Sequence, residues 1–326
     1  MRASAEIERW SMKDVFATSR DAIDHIPVIL ATLTEGAGRR GRGEAAGVDY
    51  DGETVESMAA DIASIASSLN DATSHADLLR LLPAGGARNA LDCALWDLRA
   101  KQSGTAVWRA LGIARPRPVT TCLTIGLGNE GDTRRKAREA AGYEVLKIKL
   151  DAERHIDIVR IVREEQPRAR LLVDANQAWS RSSLEHLLPA LDVLGVELIE
   201  QPVARTEDAT LDGLRSRLPL AADESCIDRS SLPELLGRYR FINIKLDKCG
   251  GLTEAMALGA EAAKLGFGLM VGNMCGTSLA MAPAFMIAQS CRYIDLDGPL
   301  LQREDRVPPI LYDQGVMQAP DPALWG

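Results

Sequence analysis

The stretch VLKIKLDAERHIDIVRIVREEQPRARLLVD, residues 145–174, contains two short apolar runs, VLKIK and RLLVD, joined by a segment of a different period. Within that segment Ile156, Val159 and Val162 recur at three-residue steps, which places them on one side of a helix. A strand, a helix and a second strand in parallel need about 30 residues, which is the length on offer. Runs of the same kind recur along the chain as VTTCLT (119–124), VELIE (196–200), PLAAD (219–223), FINIK (241–245), GLMVG (268–272) and YIDLD (293–297). The starts of the eight runs lie 26, 25, 26, 23, 22, 27 and 25 residues apart. Strands that are apolar nearly throughout and alternate with helices are buried on both faces, so residues 116–304 are expected to close into a parallel α/β barrel. A doubly wound open sheet is the alternative, but GLGNEG at 126–131 has the wrong spacing for its phosphate loop.

Residues 1–115 read differently. Strands are expected at 6–12, 14–20 and 28–35, and helices at 54–70 and 87–104, the second with Leu91, Ala94, Leu95 and Leu98 as its apolar stripe. This describes a separate α+β domain. No amphipathic helix follows Asp297. Instead the chain enters a proline-bearing tail, of which 305–326 is expected to return to the first domain.

Net charge is −8 over 326 residues, and the one basic run, GRRGRG at 38–43, is short, so no nucleic-acid partner is expected. The N-terminus lacks an apolar leader and no stretch of about 18 apolar residues occurs, which predicts a cytoplasmic protein without a membrane partner. The six cysteines have no Cys-x-x-Cys spacing and read as buried thiols of a reducing compartment.

Ionisable residues collect where the strands end. Lys147 and Lys149 close the second run, Asp174 the third, Glu200 the fourth, Asp223 the fifth and Lys245 the sixth, while Asp295 and Asp297 close the eighth. Active sites of such barrels lie at this rim. Any one of these residues alone reads more simply as a helix cap or a solvated side chain. Carboxylates on three successive strands, however, repel unless a cation joins them. Oxygen-only ligation points to a hard cation, Mg²⁺, bound by Asp174, Glu200 and Asp223. Lys149 and Lys245, half a turn apart, would face each other across it, suited to removing a proton from one face of a carbon and returning it to the other. A divalent cation on a substrate carboxylate stabilises the enediolate that results, and should lower the pKa of the lysine that acts as base. Lys147 could neutralise the substrate carboxylate.

LKIKLD (146–151), LLVDANQAW (171–179), LIEQPV (198–203), LAADES (220–225), NIKLDKCGGLTEA (243–255) and DLDGP (295–299), with LLPAGGARNALDCALWDLRAKQSG (81–104), resemble the muconate-lactonising branch of the enolase superfamily and, within it, the dipeptide epimerases. The resemblance covers most of the chain. It implies a modified TIM barrel, (β/α)7β, under an N-terminal α+β capping domain, and the metal and lysine roles given above. It also implies that Asp295 and Asp297 hold the free α-ammonium of a dipeptide. Relatives of the mandelate-racemase type need a His after strand seven, where this chain has none.

The reaction implied is epimerisation at the α-carbon of the C-terminal residue of a dipeptide, most simply L-Ala-D/L-Glu, in murein peptide recycling and by a homo-oligomer. In VFATSRDA (15–22), Arg20 matches the family's arginine for a distal carboxylate, although GEAAGVDYDGE (43–53) departs from the family's more aromatic, proline-bearing loop. Thr121, Thr124 and Ser278 are expected to line the pocket. An N-acylamino-acid racemase or an o-succinylbenzoate synthase shares the lysines and stays open as an alternative. So do a Schiff-base aldolase through Lys245 and a non-catalytic binder.

Overall fold

A computed structural model describes residues 1–17 and 22–326. The first domain begins with a long antiparallel hairpin, β1 (Arg2–Ala17) and β2 (Ala22–Thr34), extended on its other side by β3 (Arg40–Ala45). The basic run at 38–43 is therefore largely strand. Its glycines have a packing reason, because β3 lies against the helix Gly86–Ser103 at backbone distance. A methyl group on Gly43 would overlap the Ala90 carbonyl oxygen and come within 2.7 Å of the Ala94 nitrogen, and one on Gly41 would overlap the Ala94 carbonyl oxygen. Two residues apart on a strand, both glycines face the helix. The expected strand at 14–20 is instead the end of β1, and residues 18–20 of it lie outside the described residues.

Eight parallel strands follow as β5 (Leu123–Ile125), β6 (Val145–Lys149), β7 (Arg170–Asp174), β8 (Val196–Glu200), β9 (Leu220–Ala222), β10 (Phe241–Ile244), β11 (Gly268–Val271) and β12 (Tyr293–Ile294). They are ordered as in the sequence. The ends of the sheet meet where Cys122 N donates to Ile294 O at 2.8 Å. Each strand or its immediate flank gives one side chain to a single buried cluster: Cys122, Val145, Leu172, Leu198, Ala221, Phe241, Met270 and Tyr293. This is the apolar floor of the barrel. Outward-facing Leu146, Ile148, Val173, Ile199, Ile244 and Val271 pack under the helices.

Three expectations need correction. Val119–Thr120 (β4) is not part of the barrel but pairs with β14 (Val316–Met317), which pairs in turn with β13 (Tyr312–Asp313). Ladder pairing of the eighth strand stops at Ile294, short of Asp295 and Asp297. The crossovers after β8 and β9, which have the shortest spacings, hold a 3₁₀ segment, Arg205–Leu211, and a single turn, Leu232–Leu235, rather than full helices. After β12 comes only the turn Gly298–Leu301.

The capping domain is tied to the barrel by buried polar contacts. Asp247 accepts from the backbone of Ala46 and Gly47 at 3.0 and 2.9 Å, Asp92 accepts from Thr253 N at 2.9 Å, and Arg88 donates to the carbonyls of Cys249 and Gly250 at 2.7 and 3.1 Å. At the C-terminus Trp325 Nε1 donates to Cys93 O at 2.9 Å, on the helix that β3 grips.

Gly43→Ala is expected to cost about 3 kcal/mol or more, since a methyl group forced against backbone cannot be relieved by a rotamer change. Urea denaturation would measure it. A midpoint matching the parent's would mean that β3 can move off its helix.

Candidate active site

Alternation along each barrel strand puts a polar layer directly above the apolar floor. Thr124 pairs in register with Lys147, Lys149 with Asp174, and Asp174 with Glu200, so these side chains share the inner face. Asp223 and Lys245 follow β9 and β10 by one residue and extend the ring. Strand seven contributes Gly272, where a side chain would lie 2.7 Å from Asn243 Oδ1 and 3.0 Å from Lys245 Cε. Its lack of a side chain leaves room for the Lys245 stem.

The groups are buried and tightly paired. Lys147 Nζ lies 2.7 Å from Asp295 Oδ2, 2.8 Å from Glu200 Oε2 and 3.0 Å from Asp174 Oδ2, with its side chain 1% exposed. Lys149 Nζ donates to Asp174 Oδ2 at 2.7 Å and to Asn176 Oδ1 at 3.1 Å. Lys245 Nζ donates to Asp223 Oδ2 at 2.7 Å. Burial opposes the charge on Lys147 and Lys245, but the carboxylates outweigh it and raise both. The lowering expected for the base therefore does not come from the side chains alone. Burial likewise works against Asp174 and Asp223, yet the neighbouring ammonium groups hold both below the usual carboxylate range. Glu200 goes the other way, pushed up to about 7 by burial and by Asp174.

The structure brings Asp174, Glu200, Asp223, Lys147, Lys149, Lys245, Asp295 and Asp297 to one mouth. Burial and the charge of Asp295 push Asp297 up to about 7, while Lys147 overcomes burial and lowers Asp295. Such a like-charged pair is ready to accept a cation. Thr124 meets Asp297 through its backbone N, 2.7 Å from Oδ2. The Thr121 hydroxyl accepts from Leu296 N at 2.8 Å and so braces the segment that carries both aspartates. The Ser278 hydroxyl is occupied elsewhere, donating to Asp305 and accepting from Ile310 N at 2.8 Å. Arg20 lies outside the described residues.

Whether the mouth suits a hard cation can be judged from its donors. Among the described residues no three carboxylates already converge at chelating distance, because Lys147 stands among them. The donor set is nevertheless oxygen from three successive strands, and the buried Glu200 Oε2 meets the Lys147 ammonium at 2.8 Å. Asn243 Nδ2 steadies the other oxygen of Glu200 at 2.9 Å. A buried carboxylate oxygen engaged by the Lys147 ammonium, beside two further carboxylates, offers the hard donors that a divalent ion takes.

Several supporting residues were not singled out by the sequence reading. Lys248 Nζ donates to Asp223 Oδ1 at 2.6 Å, to the Asp223 carbonyl and to Asn243 O at 3.1 Å. Gln201 Oε1 accepts from Asp223 N at 2.9 Å and Ser225 N at 3.1 Å, and its amide donates to Tyr239 OH at 2.9 Å. Gln201, Asn176, Gln177 and Cys275 all have positive φ, at 33°, 42°, 69° and 60°, which is strain gathered at the rim. Lys248 sits inside the quoted NIKLDKCGG and could have been found there, since a single helical turn, Leu246–Cys249, folds it back toward its own strand.

Lys248→Met keeps most of the stem but removes the charge, and is expected to destabilise the protein by about 3 kcal/mol through the stranded Asp223 carboxylate. An unchanged urea midpoint would show that Lys245 balances Asp223 alone.

Comparison with known proteins agrees with this fold. Residues 132–323 match the model "Enolase C-terminal domain-like", and residues 4–112 match "Mandelate racemase / muconate lactonizing enzyme, N-terminal domain". The L-Ala-D/L-Glu epimerase of Escherichia coli K12 is 38% identical over 94% of this chain and 96% of its own length. An N-acetyl-D-glutamate racemase of a Pseudoalteromonas species is 44% identical over 77% of this chain and 79% of its own. Among solved structures, an enolase family member from Agrobacterium tumefaciens with homology to dipeptide epimerases, bound to sodium and L-Ala-L-Glu, has a TM-score of 0.96 and 40% identity over 99% of each chain. A Methylococcus capsulatus dipeptide epimerase complexed with Mg and L-Arg-D-Lys has a TM-score of 0.87 and 29% identity over 98% of each. With both family models matched in order over most of its length, the chain belongs to the enolase superfamily, in its mandelate racemase and muconate lactonizing enzyme group.

Proposed function

We propose that this protein is a Mg²⁺-dependent dipeptide epimerase that inverts the α-carbon of the C-terminal residue, with L-Ala-D/L-Glu as the preferred substrate. The observation that carries the reading is the buried pair Asp295 and Asp297 beside the two-lysine mouth. A like-charged pair with one member pushed up to about 7 gains from a substrate ammonium, and neither an acylated amine nor a muconate offers one. The epimerase and the liganded structures described above have the same chemistry in their names. Recycling of cell-wall peptides would be its setting.

Asp174, Glu200 and Asp223 would hold the ion. When bound, Mg²⁺ supplies positive charge at the substrate carboxylate, which makes the neighbouring α-proton acidic. One lysine, Lys149 or Lys245, takes that proton at its Nζ, and the other delivers a proton to the opposite face. For the other configuration the two exchange tasks. Lys147 neutralises the carboxylate end, and Asp295 with Asp297 orients the ammonium end, so the α-carbon is fixed at both sides. The capping domain excludes water from this step.

A second reading is favoured by the 44% identical N-acetyl-D-glutamate racemase, whose substrate has no free amine. Proton NMR in D₂O with Mg²⁺ separates the two, comparing α-proton exchange of L-Ala-L-Glu, L-Ala-L-Leu and N-acetyl-L-glutamate. Exchange is expected on the free dipeptides, fastest with Glu, and Asp297→Asn is expected to slow it about 100-fold without loss of metal binding. Faster exchange on N-acetyl-L-glutamate, untouched by Asp297→Asn, would reject the dipeptide assignment. Lys149→Ala and Lys245→Ala should each exchange the α-proton of only one configuration, read from separate L,L and L,D substrates.

A further inference from the structure

The opposite end of the barrel carries a second concentration of charge that the catalytic reading leaves unused. Arg170, Arg217, Arg240 and Arg292 line a basin of about 700 Å³ below the floor, together with the single carboxylate of Glu197. Each stands at or just before the start of a barrel strand, so the closed sheet itself brings them to one face. The chain as a whole has a net charge of −8, which makes four arginines around one basin a local reversal of sign.

Of the four, Arg170 is neutralised, by Glu197 with Nε to Oε1 at 3.0 Å and Nη2 to Oε2 at 2.9 Å, and by Glu144 with Nη1 to Oε1 at 3.5 Å. Among the described residues Arg217, Arg240 and Arg292 form no ion pair. Two of the cations are nonetheless held in place. The guanidinium carbons of Arg292 and Arg170 lie 5.4 and 5.9 Å from the centroid of the same Tyr293 ring. That ring is itself packed edge-on against Phe241 at 5.1 Å. A guanidinium over an aromatic face keeps the N–H groups of its edge available to a ligand. Like charges gathered around one concavity raise each other's energy, and a multiply charged anion relieves that most effectively.

We propose that this basin is a binding site for a small anion carrying two or more phosphate groups, remote from the catalytic mouth and independent of it. The arginine fork matches phosphate oxygens in pairs, and three uncompensated cations call for more charge than a single monovalent group carries.

Isothermal titration calorimetry of the Mg²⁺-loaded enzyme with sodium tripolyphosphate tests this, with free Mg²⁺ and ionic strength held constant because the ligand chelates the metal. Saturable one-to-one binding is expected, weakened about tenfold or more in Arg240→Ala and further in Arg240→Ala/Arg292→Ala, with dipeptide exchange unchanged in both. ATP and adenosine form the other arms, and binding of ATP but not adenosine would place the recognition in the phosphates. Absence of saturable heat, equal binding by the variants, or equal competition by sulfate would overturn the proposal. Circular dichroism of the variants keeps lost binding distinct from lost fold.

Discussion

Lys147 and the carboxylates around it set the terms for the rest of the molecule. An ammonium group 1% exposed, within 3.0 Å of Asp174, Glu200 and Asp295, has left nearly all of its hydration behind. Removing an ion from water costs several kcal/mol even after relaxation, and only opposite charge at short range with good hydrogen bonding offsets it. The mouth meets that need by near balance between lysines and carboxylates, but not by complete pairing. Glu200 and Asp297, both pushed up to about 7 by burial and a neighbouring carboxylate, mark where negative charge stays in excess. The same imbalance that weakens the protein by itself makes the mouth attractive to added positive charge.

Keeping such a layer in place requires a rigid frame, and the frame is assembled from unremarkable parts. The apolar ring beneath it fixes the height of each strand end. Gln201 spends both ends of its amide on the turn that follows β9, and Asn243 and Asn176 steady Glu200 and Lys149. Thr121 does the same for the Asp295–Asp297 segment, together with the bonds from Asp295 N to Val271 O at 2.9 Å and from Asn273 Nδ2 to Asp295 O at 2.7 Å. These are neutral side chains, which position charges without adding any.

Much of the charged layer was legible in the sequence because two periodicities coincide there. A repeat of 22 to 27 residues locates the strand ends, and a period of two says which residue at each end faces inward. Lys147, Lys149, Asp174, Glu200, Asp223 and Lys245 all follow from those rules. What escaped them depends on contacts between distant segments. Val119–Thr120 has the look of a barrel strand, yet a C-terminal hairpin claims its hydrogen bonds. The strand Arg40–Ala45 alternates glycine with charge and gives no apolar signal, since its partner is the backbone of a helix. Ser278 reads as a pocket residue from its place after strand seven, but Asp305 and Ile310 engage it.

The helix Gly86–Ser103 is gripped on one flank by the side-chain-free face of β3 and on the other by Trp325 and the loop after β10. The segment leaving β3 is then pinned at Ala46 and Gly47 by Asp247, a residue of the barrel. Residues 48–53 are therefore held from both sides, Glu53 accepting from Gly86 N at 2.8 Å and Asp51 meeting Arg205 of the barrel at 2.6 Å. A substitution along 48–53 is thereby felt first at Arg205 and at the start of the helix Gly86–Ser103, so the seam between the two parts of the molecule takes up the change.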